Sequence, residues 1–357
     1  MIAYYLCFLF TIHVVWTGST SIGILLEHGH TLFGDGHYYH VMEEIITAYV
    51  RVTTLKLSND DVTWIAFHPF HKQKWRGKND RFINSISPIC NLLWKNIKLY
   101  HIHPFPTANE ATIREKLIKY EIPEVDQLIF IDRMKEDHGQ VNKMFLKSIA
   151  HFNQFDWYQR IISSSLPLQK VSINPKKQLN VIYIDRQATM RKLSSNGHTD
   201  FVNHMQMFTE AHNKEHGDTE TINFNIVKFE NYTFEQQFNM VKHADVLIGV
   251  HGNGMTHQLL MHPRRYVIEI FPYIKGSQLS WVYDYYFFSL LMGHRYLCIH
   301  NGMPIDTAGY SHDLLMPKAL HKNKTGHWPA RSNSSHINVD GLRAIIGMIL
   351  EAKEILM

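Results

Sequence analysis

The chain has 357 residues, with 36 Lys and Arg against 32 Asp and Glu, a formal charge of +4. Charged residues make up 19% and hydrophobic ones 45%, a globular composition that excludes disorder, collagen and coiled coil. Three cysteines are too few for a disulfide scaffold or a four-Cys zinc site, and +4 over this length is no nucleic-acid footprint. The length suits about two domains. The unusual count is 25 His, which invites a metal reading.

Residues 1–16, MIAYYLCFLFTIHVVW, are apolar apart from Thr11 and His13, and small polar residues follow. The span falls short of the ~20 residues that cross a bilayer, so residues 1–20 read as a signal peptide or short membrane anchor, although no Lys or Arg precedes them. A buried first strand with Tyr4, Leu6, Phe8 and Phe10 on one face is the competing reading. Sequons at Asn231-Tyr-Thr233, Asn323-Lys-Thr325 and Asn333-Ser-Ser335 agree with a secretory protein. If the apolar start is removed, Cys90 and Cys298 remain, either paired or as buried thiols.

Short apolar runs then alternate with helical stretches. Val62–Phe67, Leu99–His103 and Leu128–Asp132 read as buried strands, and residues 36–50, 80–93 and 137–162 as helices. Leu166–Gln178 carries two prolines and no clear period, which suits a linker between domains over 21–168 and 179–325. Beyond it come strands at Leu179–Asp185, Ile222–Phe229, Asp245–Val250, Tyr266–Phe271 and Tyr296–His300. Helices are expected at Asp200–Lys214, Phe234–Val241, Met255–Met261 and Gln278–Met292, with a terminal helix at Val339–Ile355 inside a last segment, 326–357. Such alternation implies an α/β protein with parallel sheets, two Rossmann-like domains facing across a cleft. Ligands of such sheets bind beyond the carboxyl ends of the strands, here after Asp185, Val250 and Phe271.

Three groups of residues fall near such ends or on a helix start. His251-Gly-Asn-Gly-Met-Thr-His257 follows an apolar strand: Gly252 and Gly254 permit a tight turn and close approach of the backbone to a ligand. Amides at the next helix start, with Thr256, His251 and His257, could hold a phosphate; a purely structural turn is the plain alternative. Glu269, near the end of the following strand, could take both hydroxyls of a ribose, or simply be a surface charge. Arg186 and Arg191, five apart after a strand, suit a pyrophosphate without a metal, or lie on a solvated loop. His40 and Glu44 share a helix face, and a carboxylate beside an imidazole could deprotonate an acceptor hydroxyl; a helix capped by Asp35 with an exposed acidic end fits equally.

On these residues the chain resembles glycosyltransferase family 61, which includes plant arabinoxylan xylosyl- and arabinosyltransferases, fungal β-xylosyltransferases, and animal GlcNAc transferases acting on EGF domains and O-mannosyl glycans. Ala244–Pro272 is similar to the family's strand, His-Gly-x-Gly loop and Glu-[Leu/Ile]-Phe-Pro ending; Arg186 to Leu193 is similar to its Arg-x4-Arg-x-Leu; Tyr39, His40 and Glu44 are similar to its Tyr/Phe-His-x3-acid. Departures are Ser194-Ser-Asn-Gly197 where many members carry Asn-Glu, and Asn253 where Ala or Gly is usual, a variant associated with fungal members. The resemblance implies a GT-B fold and an inverting, UDP-sugar-dependent transferase of the endoplasmic reticulum or Golgi. It would move xylose or GlcNAc to a hydroxyl of a glycan or glycoprotein. It implies UDP held by Arg186, Arg191, His251, Gly252, Asn253, Gly254, Thr256, His257 and Glu269, with Glu44 as base and His40 its neighbour. No Asp-x-Asp occurs, and arginines with amides suffice for the leaving group, so no metal is expected.

Two other classes compete. A catalytically inactive member would bind nucleotide or glycan without transfer. A metal-dependent hydrolase would use His28-x-His30 and His101-x-His103, which have the spacing of ligand pairs, but needs an eight-strand barrel. The aromatic segment Trp281–Phe288 could stack sugars or fill a core helix.

Overall fold

Apolar runs too short for helices, each followed by a helical period, build two separate sheets in the computed structural model. It describes residues 21–28, 38–69, 87–94, 96–101, 110–131, 151–163, 177–186, 192–217, 219–271, 283–300, 302–305 and 337–357. The first sheet holds β1 (Ile22–His28), β2 (Val62–Pro69), β3 (Lys98–His101) and β4 (Gln127–Ile131), all parallel, in the order β3-β2-β1-β4. β1 was not anticipated, and it is central. Flanked by β2 and β4, it buries Ile22, Ile24 and Leu25 on its two faces, as parallel strands do.

Helix α1 (Tyr38–Thr54) follows β1, with Met42, Ile45, Ile46 and Tyr49 at the spacing that makes one buried stripe. Ser58 caps a short 3-10 turn, Asn59–Asp61, that leads into β2. Residues 87–93 are helical, α2 spans Glu110–Lys119 where no helix was expected, and α3 spans Gln154–Ser163, the end of the long helix expected over 137–162. Leu25, Trp64 and Ala66 pack on α2 through Ile113 and Leu117.

The second sheet contains β5 (Lys177–Ile184), β6 (Glu220–Val227), β7 (Val246–Val250), β8 (Tyr266–Phe271) and β9 (Arg295–His300), parallel, with β10 (Met303–Ile305) antiparallel to β9. Its order is β10-β9-β8-β7-β5-β6. The chain therefore builds away from β5 in one direction with β6, and in the other with β7 to β9. That reversal is the topological switch point of an open α/β sheet, where the loops after β5 and β7 diverge to opposite faces.

One face of this sheet, with Val181, Tyr183, Ile248 and Ile268, is covered by α4 (Ser195–His216) and the terminal helix α7 (Val339–Leu356). The last segment is thus part of the second core. The other face, with Ile182, Ile184, Leu247 and Val267, is covered by α5 (Phe234–Val241) and α6 (Tyr283–Met292), and the same cluster takes in α1 and α3. A single apolar core joins the two sheets.

The linker expected at 166–178 lies outside the described residues up to 176; Lys177 and Gln178 already belong to β5. Buried Tyr285, Phe287 and Phe288 make α6 a core helix. Cys90 and Cys298 are free and buried, and burial pushes the Cys90 thiol up. Residues 1–20 lie outside the description, and among the described residues no helix is long and apolar enough to cross a membrane. Among the described residues the strands form open sheets of four and six, not the barrel that the hydrolase reading requires.

Candidate functional site

At the carboxyl edge of the second sheet, β7 ends at Val250 and His251 N–H still bonds the Ile270 carbonyl of β8 at 2.9 Å. Gly252 then takes φ 146°, a conformation open to glycine, and the chain enters a 3-10 segment, Asn253–Leu260. An α-helix was expected here. Gly249 leaves room for the Met255 side chain against β7: a β-carbon at 249 would stand 2.7 Å from Met255 Sδ. Met255 N–H closes the first turn on the Gly252 carbonyl at 2.8 Å, and the Asn253 and Gly254 amides, ahead of that bond, stand at the sheet edge.

Arg186 leaves β5 directly beside this turn. Its guanidinium lies over Gly252, where any β-carbon would collide with it, and Nη1 donates to the His251 carbonyl at 2.8 Å. Arg186 and the Gly252 turn thus stand on either side of the switch point between β5 and β7. Arg191 lies outside the described residues.

His251, Glu269 and Tyr296 project from one face of three adjacent strands or their ends. The register pairs Gly249 with Glu269 and Val267 with Tyr296, so His251, two residues after Gly249, meets Glu269 from above and Tyr296 meets it from below. His251 Nδ1–H donates to one Glu269 oxygen and the Tyr296 hydroxyl donates to the other. Burial and the Glu269 carboxylate push the Tyr296 phenol well up, which keeps it a donor. The imidazole is further walled by Phe271 and Tyr285, 4.8 and 5.1 Å between ring centres. With Nδ1 committed, Nε2 is the nitrogen left to face a ligand, and it has no partner among the described residues. The ribose contact expected of Glu269 does not fit this position: the side chain is 0% exposed and both oxygens point to protein.

His257 is also turned inward. Its Nδ1 faces the Gly254 carbonyl at 2.9 Å and Nε2 faces Gln237 Oε1 at 2.8 Å, while Gln237 is fixed by donating to the Phe229 and Tyr232 carbonyls. The ring stacks on Phe229 at 4.3 Å, and burial pushes its pKa down to about 4. It ties the loop to α5 rather than presenting a donor. Thr256 Oγ and Asn253 Oδ1 are buried with no hydrogen-bond partner among the described residues.

Asp185, just past the end of β5, is a candidate functional residue that the sequence pattern marks only as the close of a strand. It is buried, 3.3 Å from His198 Nε2 and 3.6 Å from Lys228 Nζ, so an acid–base pair and a lysine stand beside Arg186. Its signal was its place at a strand's carboxyl end; Tyr296 offered none, because its partner is reached only through strand register.

His40 and Glu44 lie on α1, four residues apart, and their side chains are outside the description. α1 packs on the 3-10 segment, its Met42, Ile45 and Ile46 sharing a core with Met255, Leu259 and Leu260. The helix that carries them is therefore held against the segment that follows the Gly252 turn. Among the described residues no group of three His, Cys, Asp or Glu could hold a metal; His28 and His101 end β1 and β3 in the first sheet, and His30 and His103 lie outside the description.

The family model described as Glycosyltransferase 61 matches residues 38–268, from the start of α1 to the middle of β8. No curated protein matches the chain.

Proposed function

The chain belongs to glycosyltransferase family 61, and from that membership and the loop geometry we propose an inverting transferase, built as a GT-B enzyme, that uses a UDP-sugar. The observation that carries this reading is the Arg186 guanidinium laid across Gly252 beside an imidazole locked by Glu269. A fixed cation, an oriented ring nitrogen and first-turn amides converge where a diphosphate would rest.

In this reading Arg186, Arg191, His251 Nε2 and the amides from Gly252 to Gly254 hold the diphosphate and absorb charge as it leaves. Glu269 acts through His251, Tyr296 acts through Glu269, and His257 holds the loop to α5 through Gln237. Glu44, assisted by His40, takes the proton of an acceptor hydroxyl, whose oxygen attacks the anomeric carbon opposite the departing UDP. The donor is xylose or GlcNAc, xylose being favoured by Asn253 in the loop. The acceptor is a glycan or glycoprotein hydroxyl of the endoplasmic reticulum or Golgi, consistent with an exposed Asn231-Tyr-Thr233 sequon and an apolar start suited to a signal or anchor.

A thermal-shift panel of UDP, UDP-xylose, UDP-GlcNAc and UDP-arabinose on the purified chain tests it. Stabilisation by UDP and by one sugar nucleotide above the others is expected. Absence of any UDP effect at millimolar nucleotide overturns the donor assignment, and UDP binding without sugar hydrolysis or transfer identifies an inactive member.

A further inference from the structure

Helix α3 precedes β5 in sequence yet reaches into the core of the second sheet. Trp157 is fully buried, and its indole Nε1–H donates to the Leu259 carbonyl of the 3-10 segment at 2.9 Å. On the next residue, the Tyr158 hydroxyl donates to the Lys242 carbonyl beyond α5 at 3.3 Å. On the residue before, Asp156 accepts from the Tyr49 hydroxyl of α1 and from Arg160 Nε, the latter at 3.0 Å. Burial and the Asp156 carboxylate push the Tyr49 phenol up, so it stays a donor. The Tyr49 and Trp157 rings meet edge to face at 5.2 Å. One turn of α3 thus grips α1 with Asp156 and the 3-10 segment with Trp157.

We propose that Trp157 and Tyr49 are positioning residues, with α3 acting as a spacer that fixes α1 relative to the Gly252 turn. The proposal rests on the reading of Glu44 as base and of the turn as the diphosphate site. The two links do different work. Trp157 acts through the Leu259 carbonyl on the segment whose first turn offers the amides, so its loss should register in nucleotide affinity. Tyr49 acts through α1, about three turns beyond the helix start, so its loss should register in turnover. Displacement of a reacting group by about 1 Å costs on the order of 100-fold in rate. A buried carbonyl left without its donor costs roughly tenfold in any equilibrium that depends on its placement.

The experiment uses the full chain with Tyr49→Phe, Trp157→Phe and, as control, Ile161→Val, which trims a fully buried residue of the same helix with no polar contact. UDP affinity is measured by calorimetry, and kcat and KM with UDP-xylose or UDP-GlcNAc, whichever the wild type turns over. Tyr49→Phe is expected to lower kcat roughly tenfold or more with UDP affinity and donor KM within about twofold. Trp157→Phe is expected to weaken UDP about tenfold. Ile161→Val should lower the melting temperature and change neither. Variants that behave like Ile161→Val, or a Tyr49→Phe that loses affinity and turnover alike, overturn the proposal while wild-type UDP binding stands. A wild type that binds UDP but turns over neither sugar overturns the Tyr49 assignment, and one that binds no UDP overturns the nucleotide reading itself.

Discussion

The guanidinium of Arg186 occupies the space that a side chain at Gly252 would need, and the two are joined by the Nη1 bond to the His251 carbonyl at 2.8 Å. The turn and the cation are therefore one unit. Gly252→Ala carries two penalties, a residue other than glycine at φ 146° and ejection of Arg186. The expected outcome is a stability loss of about 1–3 kcal/mol by urea unfolding and at least a tenfold weakening of UDP by calorimetry. Arg186→Ala should match the second effect without the first.

Glu269→Gln keeps the shape of the buried carboxylate and removes its charge. The amide can still accept from His251, but it then presents an NH2 group to the Tyr296 hydroxyl, whose own proton loses its acceptor. A loss of about 1–3 kcal/mol in stability and a similar tenfold loss in UDP affinity are expected. Tyr296→Phe should be milder in both, because Glu269 would still orient His251. Tyr296→Phe worse than Glu269→Gln would remove Glu269 from its place at the centre of the chain of bonds.

Glu44→Gln should abolish transfer while leaving UDP affinity within about twofold, since the carboxylate meets only the acceptor hydroxyl in the proposed step. Single-turnover transfer assays beside UDP calorimetry decide it. Parallel loss of both would take the base role away from Glu44.

Under the proposed assignment of the leaving charge to arginine and amides, activity should persist in excess EDTA. Loss of turnover under chelation, restored by Mn2+, would overturn the metal-free reading.

His294 gives the stability a pH dependence of definite sign. Its Nδ1 accepts from Arg265 N–H at 3.0 Å and its Nε2–H donates to the Gln258 carbonyl, so a second proton has no place. Burial pushes its pKa down to about 4, against about 6.5 in the unfolded chain. The folded state prefers the neutral ring, so this contribution is complete above pH 6.5 and is lost as pH falls towards 4, up to about 3 kcal/mol. Urea midpoints should fall across that window, and His294→Asn should flatten the slope.

The segment from Val246 to Phe271 was the most legible part of the chain, because an apolar strand, a glycine pair and a second strand announce a βα turn on local pattern alone. The position of Glu269 was legible and its partner was not. Strand register, which sets Tyr296 beside it and His251 above it, is a long-range property absent from any single run of residues. β1 escaped notice because Ile22–Leu26 follows closely on the apolar residues 1–16 and merges with them in hydropathy. The spacing of His257 and Thr256 suits donors on a loop that faces a ligand. The 3-10 winding rotates both side chains into the core instead.

The buried indole of Trp157 also bears on how such enzymes can be recombined. Its socket is the carbonyl and side chains of a segment 102 residues later, so the half built on the second sheet and the half that precedes it are fitted to each other at their interior. Transplanting the second half from a relative would bring a foreign lining against Trp157 and Tyr49. A change of donor preference is therefore better sought by single replacements along the Arg186 to Thr256 edge than by exchange of whole halves.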